Sequence, residues 1–232
     1  MGLARALISV VIPTLNAEAA LGPCLGSLGE GLALGQIREV IVSDGGSRDG
    51  TLELAEMAGA ERVSGAASRG GQLRRGCAMA GGEWLLVLHA DSVFAEGWAQ
   101  VVLDHLAQGS DQAGYFRLRF RAKGIAPRMV AGWANWRARV FGLPYGDQGL
   151  LIRRSLYDAI GGYDDIPLME DVALARRLKG RLVSLPAVIT TSADRYRKDG
   201  WLRRSLTNFL TLMRYFSGTD PEKLVRGYGK GS

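Results

Sequence analysis

The feature that most constrains this chain is the spacing of three short apolar runs, each closed by polar residues. Leu7 to Ile12 is nearly continuous and stops at Pro13, and Ile37 to Ser43 and Glu83 to His89 repeat the pattern. Runs of this length bounded by turn residues suit parallel strands buried on both faces. Helical stretches fall between them: Glu18 to Leu28, a segment through Met57 that Asp49 can cap, and Gln72 to Ala80. Arg62-Val63 fits a further short strand. Strands and helices alternating in this way predict an α/β fold with a mostly parallel sheet. Ligands of such sheets bind beyond the carboxyl ends of the strands.

The second half is less regular. Tyr115 to Arg121 alternates apolar and basic side chains, as a strand with one wet face does. Met129 to Phe141 reads as a helix carrying Trp133 and Trp136 among arginines, Gln148 to Arg153 as a strand and Glu170 to Lys179 as a helix. From Trp201 to Phe216 an amphipathic helix is expected, with Leu202, Leu206, Phe209, Leu210, Met213 and Phe216 on one side. We read residues 1–232 as one domain, with a first half to about 114, a second to about 200 and a helix over 201–216.

Apolar residues make up 47% of the 232 and charged ones 22%, enough for a folded core. Cys24 and Cys77 sit in apolar helix-like stretches with no partner motif, so they read as reduced core thiols of a cytoplasmic protein. The first run lacks a cleavage site and reads as a strand, not a signal peptide. No stretch of 18 or more apolar residues occurs, so no membrane-spanning helix is expected. Charge is uneven: residues 1–114 carry 7 basic and 13 acidic side chains, residues 115–232 carry 22 and 10. The basic half suits something anionic, such as a diphosphate, a nucleic acid or an anionic lipid surface at the inner face of a membrane, or is a solvated face. The basic amphipathic helix fits peripheral contact with such a lipid surface, packing on the sheet, or a homodimer contact.

Four polar clusters end strands or begin helices: Pro13-Thr14-Leu15-Asn16, Ser43 to Ser47, His89-Ala90-Asp91 and Met169-Glu170-Asp171. The first three should converge on one edge of the sheet. A rim of carboxylates and glycines suits a nucleotide diphosphate whose phosphates complete the oxygen shell of Mg²⁺ or Mn²⁺.

The chain resembles the family 2 glycosyltransferases, whose nucleotide-sugar-binding fold is called GT-A. SVVIPTLN, VIVSDGGSRDGT and GGEWLLVLHADS follow that family's order and spacing, and GDQGLLIRRSLYDAIGGYDDIPLMEDVALARRL resembles its acceptor-side half. LHADS, GDQG and LMED are similar to the subgroup called radical-SAM/selenodomain-associated transferase 2. The resemblance implies metal-dependent, inverting transfer of a sugar from a nucleotide-diphosphate donor, with a lean to UDP, to an acceptor hydroxyl, the acceptor being lipid or lipid-linked among the options. It places Pro13, Thr14, Asn16 and Glu18 at the nucleotide, Asp44 on the base, Arg69 and Gln72 on the donor, and His89, Ala90 and Asp91 in the metal motif.

An acceptor-only carboxylate such as Asp44 can read the N–H edge of a pyrimidine, though it would equally cap the turn at Gly45-Gly46. The family motif is Asp-any-Asp; here His89 replaces the first carboxylate and Asp91 remains as metal ligand. A neutral imidazole can still bond a ribose hydroxyl, or His89 is a core histidine and Asp91 a loop cap. Two residues beyond Gln72 this chain has Arg74 where the family has asparagine.

The resemblance puts the general base in the pair Glu170-Asp171, with Asp171 the preferred one; adjacent acids also suit the first turn of a helix. Gly146, Asp147 and Gln148 are expected to shape the acceptor pocket, although Gly146 to Gly149 would also serve as a turn; Trp133, with Trp136 and Trp201, is expected as an acceptor platform, at a lipid interface or as core. Arg195, Arg197 and Lys198 are expected at the diphosphate. The full Gln-x-x-Arg-Trp signature of processive members is absent from the sequence. A dehydrogenase would need Gly-x-Gly-x-x-Gly after the first strand, where Pro13 to Asn16 stand. A nucleotidyltransferase would need a glycine- and lysine-rich loop there. A non-catalytic nucleotide-sugar or nucleic-acid binder is the alternative, motivated by the altered metal motif and a pI of 9.6; against it, a pure binding face, for nucleic acid included, would have no use for the acid pair Glu170-Asp171.

Overall fold

The computed structural model describes residues 6–109 and 111–228. Its centre is one eight-stranded sheet built from β1 (Ile8–Thr14), β2 (Ile37–Asp44), β3 (Glu61–Ser64), β4 (Trp84–Val87), β5 (Val93–Phe94), β6 (Ala113–Phe120), β7 (Leu150–Arg153) and β8 (Leu182–Thr191), in the order β3-β2-β1-β4-β7-β6-β8-β5. β1 to β4 run parallel; β7 is antiparallel to both β4 and β6, β8 is parallel to β6, and β5 pairs antiparallel with β8. Between β1 and β4 the strand order reverses, which opens a crevice at their carboxyl ends.

The apolar runs become strands because both faces of β1 are covered. Ile8, Val10 and Ile12 point into one layer with Leu21, Cys24, Trp84, Leu86 and Trp98, while Val11 points into the other with Ile41, Leu73, Cys77, Leu85 and Ile152. Full burial of each such aliphatic side chain is worth roughly 1.5–3 kcal/mol. The first layer holds α1 (Glu18–Gly26), α2 (Gly29–Ala33), α3 (Thr51–Met57) and α5 (Trp98–Ala107); the second holds α4 (Arg69–Met79), α7 (Arg154–Ala159) and α8 (Glu170–Arg177). Both cysteines are buried and unpaired, and burial pushes each thiol up to about 12, as expected of inert core thiols.

Beyond β6 lie α6 (Ile125–Phe141), α9 (Asp194–Asp199), α10 (Trp201–Phe216) and α11 (Pro221–Tyr228), with α6 and α10 in contact. The amphipathic helix expected over 201–216 is present over that span, but its apolar face points outward: Leu202 is 88% exposed while Arg204 and Thr211 are buried. Trp201 belongs to the core, stacked on Tyr196 at 4.7 Å and edge-on to Phe120. The strand expected from Gln148 starts at Leu150, and Gly146–Gln148 form a turn of 3₁₀ helix before it.

Candidate functional site

The carboxyl ends of β1 and β4, the start of α4, the 3₁₀ turn, the start of α8 and the segment after β8 enclose a cleft of about 680 Å³. Its walls include Pro13, Thr14, Asn16, Arg69, Gln72, His89, Ala90, Asp91, Gly146, Asp147, Asp171 and Arg195, so most of the expected site residues meet in one place.

Gln72 fixes the rim. Its amide nitrogen donates to the Thr14 carbonyl at 2.6 Å and the Ser43 carbonyl at 3.1 Å, tying α4 to the ends of β1 and β2. Ser68 caps α4 by accepting from the Gly71 N–H and donates to Asp165. A side chain at Gly70 would stand 2.1 Å from the Asp164 carbonyl, so the glycine lets α4 close on that loop. The contact brings Arg69 to the first residue of α8.

Asp44 does not reach the cleft in this structure. It is fully buried, and its oxygens accept from the Gly46 and Ser47 N–H groups, both at 2.7 Å, and from the Ser47 and Thr14 hydroxyls. It therefore organises the turn. Burial pushes its carboxyl up, but the bonds from Ser47, Gly46 and Thr14 outweigh that and hold it below the usual value. Asn16 is held in left-handed backbone (φ 49°), donating to Ser47 and accepting from the Arg48 N–H. Glu18 lies behind the rim, where it accepts from the Gly50 N–H at 3.0 Å.

At the back stand His89 and three carboxylates. Asp91 Oδ2 accepts from the Thr191 hydroxyl at 2.8 Å and the Ser192 N–H at 3.2 Å, which anchors the end of β4 to the end of β8. Asp147 has one oxygen buried without a partner; burial raises its carboxyl to about 6, helped by Asp171 and Asp91 and opposed by Arg137. Burial drives His89 down to about 4, with Arg69 and Arg195 assisting and Asp91 and Asp171 opposing, so its ring is neutral at pH 7.

The acid pair divides. Asp171 lines the cleft, accepting from the Gly146 N–H at 2.8 Å and, in the first turn of α8, from the Val172 N–H at 2.7 Å. Glu170 is fully buried beneath it, paired with Arg69 at 3.6 Å and lacking any hydrogen bond to either oxygen. Burial pushes Glu170 up to about 7, with Arg69 opposing and Asp171 adding. Met169 precedes the pair at φ 68°, and it and Asn16 are the non-glycine residues with positive φ among those described. Both line the cleft. Left-handed backbone costs a methionine on the order of 1 kcal/mol, a strain that sets the direction of α8.

Other expected residues also lie elsewhere. Gln148 is fully buried, donating to the Phe116 carbonyl and toward Asn135. Trp133 sits on the outer side of α6, stacked on Trp136 at 4.9 Å. Arg197 is held by the Arg121 carbonyl and Asp194, leaving Arg195 as the arginine of that segment on the cleft; Lys198 is exposed away from it. Conversely, Tyr145, Met169, Ser192, Arg204 and Asn208 line the cleft without having been expected there. Arg137 lies over the Tyr145 ring at 3.4 Å.

A divalent cation can be tested against these side chains. Among the described residues no three histidine, cysteine or acidic groups converge closely enough to hold a metal by themselves. Asp91 and Asp147 nonetheless line one cleft, and Mg²⁺ or Mn²⁺ commonly binds through one or two carboxylates with substrate phosphates completing its shell. The donor set fits a cation that arrives with a diphosphate.

The family model described as glycosyl transferase family 2 matches residues 9–157. An undecaprenyl-phosphate 4-deoxy-4-formamido-L-arabinose transferase of Pseudomonas aeruginosa (strain LESB58) is 29% identical over 175 residues, covering 66% of this chain and 49% of that protein. The chain thus spans about half the length of the curated relatives it matches. Among solved structures, S. aureus TarS 1-349 in complex with UDP superposes with a TM-score of 0.61 at 17% identity, over 82% of this chain and 62% of that one. Glucosyl-3-phosphoglycerate synthase from Mycobacterium tuberculosis, in complex with Mn²⁺, UDP and glucosyl-3-phosphoglycerate, gives 0.52 at 22% identity, over 81% and 70%.

Proposed function

Because this chain belongs to glycosyl transferase family 2 and folds as a GT-A domain, we propose that it moves a sugar from a UDP-linked donor to a hydroxyl of a lipid-linked acceptor, with inversion at the anomeric carbon. The observation that carries the reading is the meeting of Asp91, Asp147 and Asp171 with neutral His89 and cationic Arg195 in one cleft at the strand-order reversal. The UDP and Mn²⁺ bound in structural neighbours support the donor and the cation. The relative named for undecaprenyl phosphate supports a lipid-linked acceptor. The narrower likeness to radical-SAM/selenodomain-associated transferase 2 rests on LHADS, GDQG and LMED.

In this reading Asp91, with Asp147 on the same cleft, would hold the cation. Bound there, the ion would offset the charge of the departing diphosphate. Arg195 and Arg69 add positive charge at the cleft wall. His89 donates or accepts one hydrogen bond as a neutral ring, a role suited to a ribose hydroxyl. Asp171 takes the proton of the acceptor hydroxyl while its oxygen bonds to the anomeric carbon and the bond to the diphosphate breaks. The Gly146 and Val172 N–H groups hold Asp171 oriented at the amino end of α8. Glu170 does not touch the cleft; it positions Arg69. Asp44 holds the turn under the nucleotide, and reaching the base would require it to exchange the Ser47 hydroxyl for the ligand.

The reading is tested with UDP-glucose and UDP-N-acetylglucosamine, labelled in the sugar, Mn²⁺, and a membrane lipid extract as acceptor pool. UDP release with label moving into the organic phase, lost in Asp171→Asn, is expected. Release of UDP at the same rate by wild type and Asp171→Asn, or none from either donor, would contradict it.

A further inference from the structure

We propose that the outward faces of α6 and α10 form a docking surface for an anionic lipid bilayer. On a helix packed against a core, large apolar side chains normally face inward. Here both helices are reversed. On α10 the inward positions are Arg204, Thr211 and Leu212, with Ser205 and Asn208 half-buried, while Leu202, Leu206, Phe209, Leu210, Met213 and Phe216 are exposed. On α6 the inward positions are small, Pro127, Ala131, Ala134 and Ala138 with Arg137, while Ile125 (76% exposed), Met129 (69%), Trp133, Trp136, Val140 and Phe141 face out. The two helices are in contact, so these stripes lie on neighbouring elements. An apolar surface of this extent marks an interaction site.

The inward face of α10 has its own partners, which shows that the reversal is built in. Arg204 pairs with Asp199 at 3.2 Å with both side chains largely buried, and the Asn208 amide donates to the Tyr196 hydroxyl. Turning the apolar stripe inward would break that buried ion pair.

Charge selects the occupant. The two helices carry six arginines, Arg128, Arg137, Arg139, Arg203, Arg204 and Arg214, and no acidic residue. Helical spacing puts the exposed ones, Arg128 and Arg139 on α6 and Arg203 and Arg214 on α10, along the edges of the apolar stripes. A second copy related by a two-fold axis would set this positive face against itself. Anionic headgroups neutralise it, with arginine stems lying along the apolar surface and guanidiniums reaching phosphate. Stacked Trp133 and Trp136 suit the headgroup boundary. No described helix is long and apolar enough to cross a membrane, so the surface lies on the bilayer.

The surface is joined to the cleft through α10, whose inward Arg204 and Asn208 line it. A bilayer on the outer face of α10 therefore lies one helix diameter from the cleft wall, about 10 Å, within reach of a lipid-linked acceptor. This last step rests on the transferase reading; the docking itself does not.

The test is co-sedimentation of the full chain with vesicles of phosphatidylcholine alone and with about a third phosphatidylglycerol. Binding to the anionic vesicles, about tenfold weaker to the neutral ones and weakened by salt, is expected. Leu206→Glu with Phe209→Glu, and separately Met129→Glu on the other helix, should each lower partitioning about tenfold or more. UDP–Mn²⁺ binding by thermal shift should stay at the wild-type level, which separates loss of docking from loss of fold. Brominated acyl chains should quench wild-type tryptophan fluorescence, a readout that needs no variant. Absence of both sedimentation and quenching overturns the proposal. So does a dimer seen by light scattering that Leu206→Glu dissociates, since the face would then join two copies. Vesicle binding without any UDP binding would leave docking standing and remove the transferase reading.

Discussion

The backbone N–H of Gly146 points at Asp171, donating to its Oδ2 at 2.8 Å, so the proposed base is aimed by a residue with no side chain. A Cβ at position 146 would lie 2.4 Å from His89 Nε2. Gly146→Ala must therefore push back either the imidazole or the turn that carries the N–H. We expect a stability loss of about 1–3 kcal/mol, read as a lower melting temperature, with a fall in transfer rate of about tenfold or more. Wild-type turnover in Gly146→Ala would show that the Gly146–Asp171 contact is dispensable.

Asp171→Asn keeps the shape and one acceptor oxygen but cannot take a proton. Transfer should drop by roughly 10²–10⁴-fold, while donor affinity stays near wild type, because the proposed reading assigns the diphosphate to other residues. Steady-state kinetics beside nucleotide titration separates the two. An equal loss of donor affinity would make Asp171 a binding residue.

Glu170 gives a pH signature. Its carboxyl sits at about 7 in the folded chain against an ordinary 4.5, so between those values the folded state holds a proton that the unfolded state has lost. Stability contributed by this group is thus fully present below pH 4.5 and is lost as pH rises toward 7. Glu170→Gln removes that dependence. The melting temperature of wild type relative to the variant should fall from pH 4.5 to pH 7 and level off above. A difference that rises over that window would contradict the buried, desolvated state of Glu170.

The folded core makes a simpler prediction. Trp98 is almost fully buried, stacked on Phe94 at 4.4 Å, with its ring N–H donating to the Ser27 carbonyl at 3.0 Å. Trp98→Ala should cost about 3–5 kcal/mol in denaturant unfolding, with the same activity per folded molecule. A loss under 1 kcal/mol would mean that α5 contributes little to holding the sheet.

Much of this was legible in the sequence, for identifiable reasons. β1, β2 and β4 are buried on both faces, so their side chains leave unbroken apolar runs, and polar residues at their ends must meet at the strand-order reversal. β8 escaped detection because Pro186 interrupts it. That proline lies where the register with β6 slips and where β5, paired only at Ile189 and Thr190, does not reach. α5 begins after Gly97 in left-handed backbone with no side-chain cap, so it gives no start signal. Gln148 and Asp147 are neighbours in the chain, yet a tight turn sends one into the core and the other into the cleft. For α10 the periodicity located the helix, but a hydrophobic stripe specifies a face and not which side of it the protein occupies. Met169, which turns α8 into the cleft, carries no residue-type signal for its left-handed backbone.

The central claim is that the cleft binds a nucleotide diphosphate through Asp91 and a divalent cation. We would measure the thermal shift of wild type and Asp91→Asn with UDP, GDP, CDP and dTDP, each with Mn²⁺ or with EDTA. Occupancy of the folded state at a hundred times Kd adds about 2.7 kcal/mol, a shift of a few degrees for a chain of this size. The account predicts that shift with UDP and Mn²⁺, its loss in EDTA and its loss in Asp91→Asn. An equal shift in EDTA or in Asp91→Asn would remove the assigned cation site, and no shift with any nucleotide would contradict the donor cleft itself.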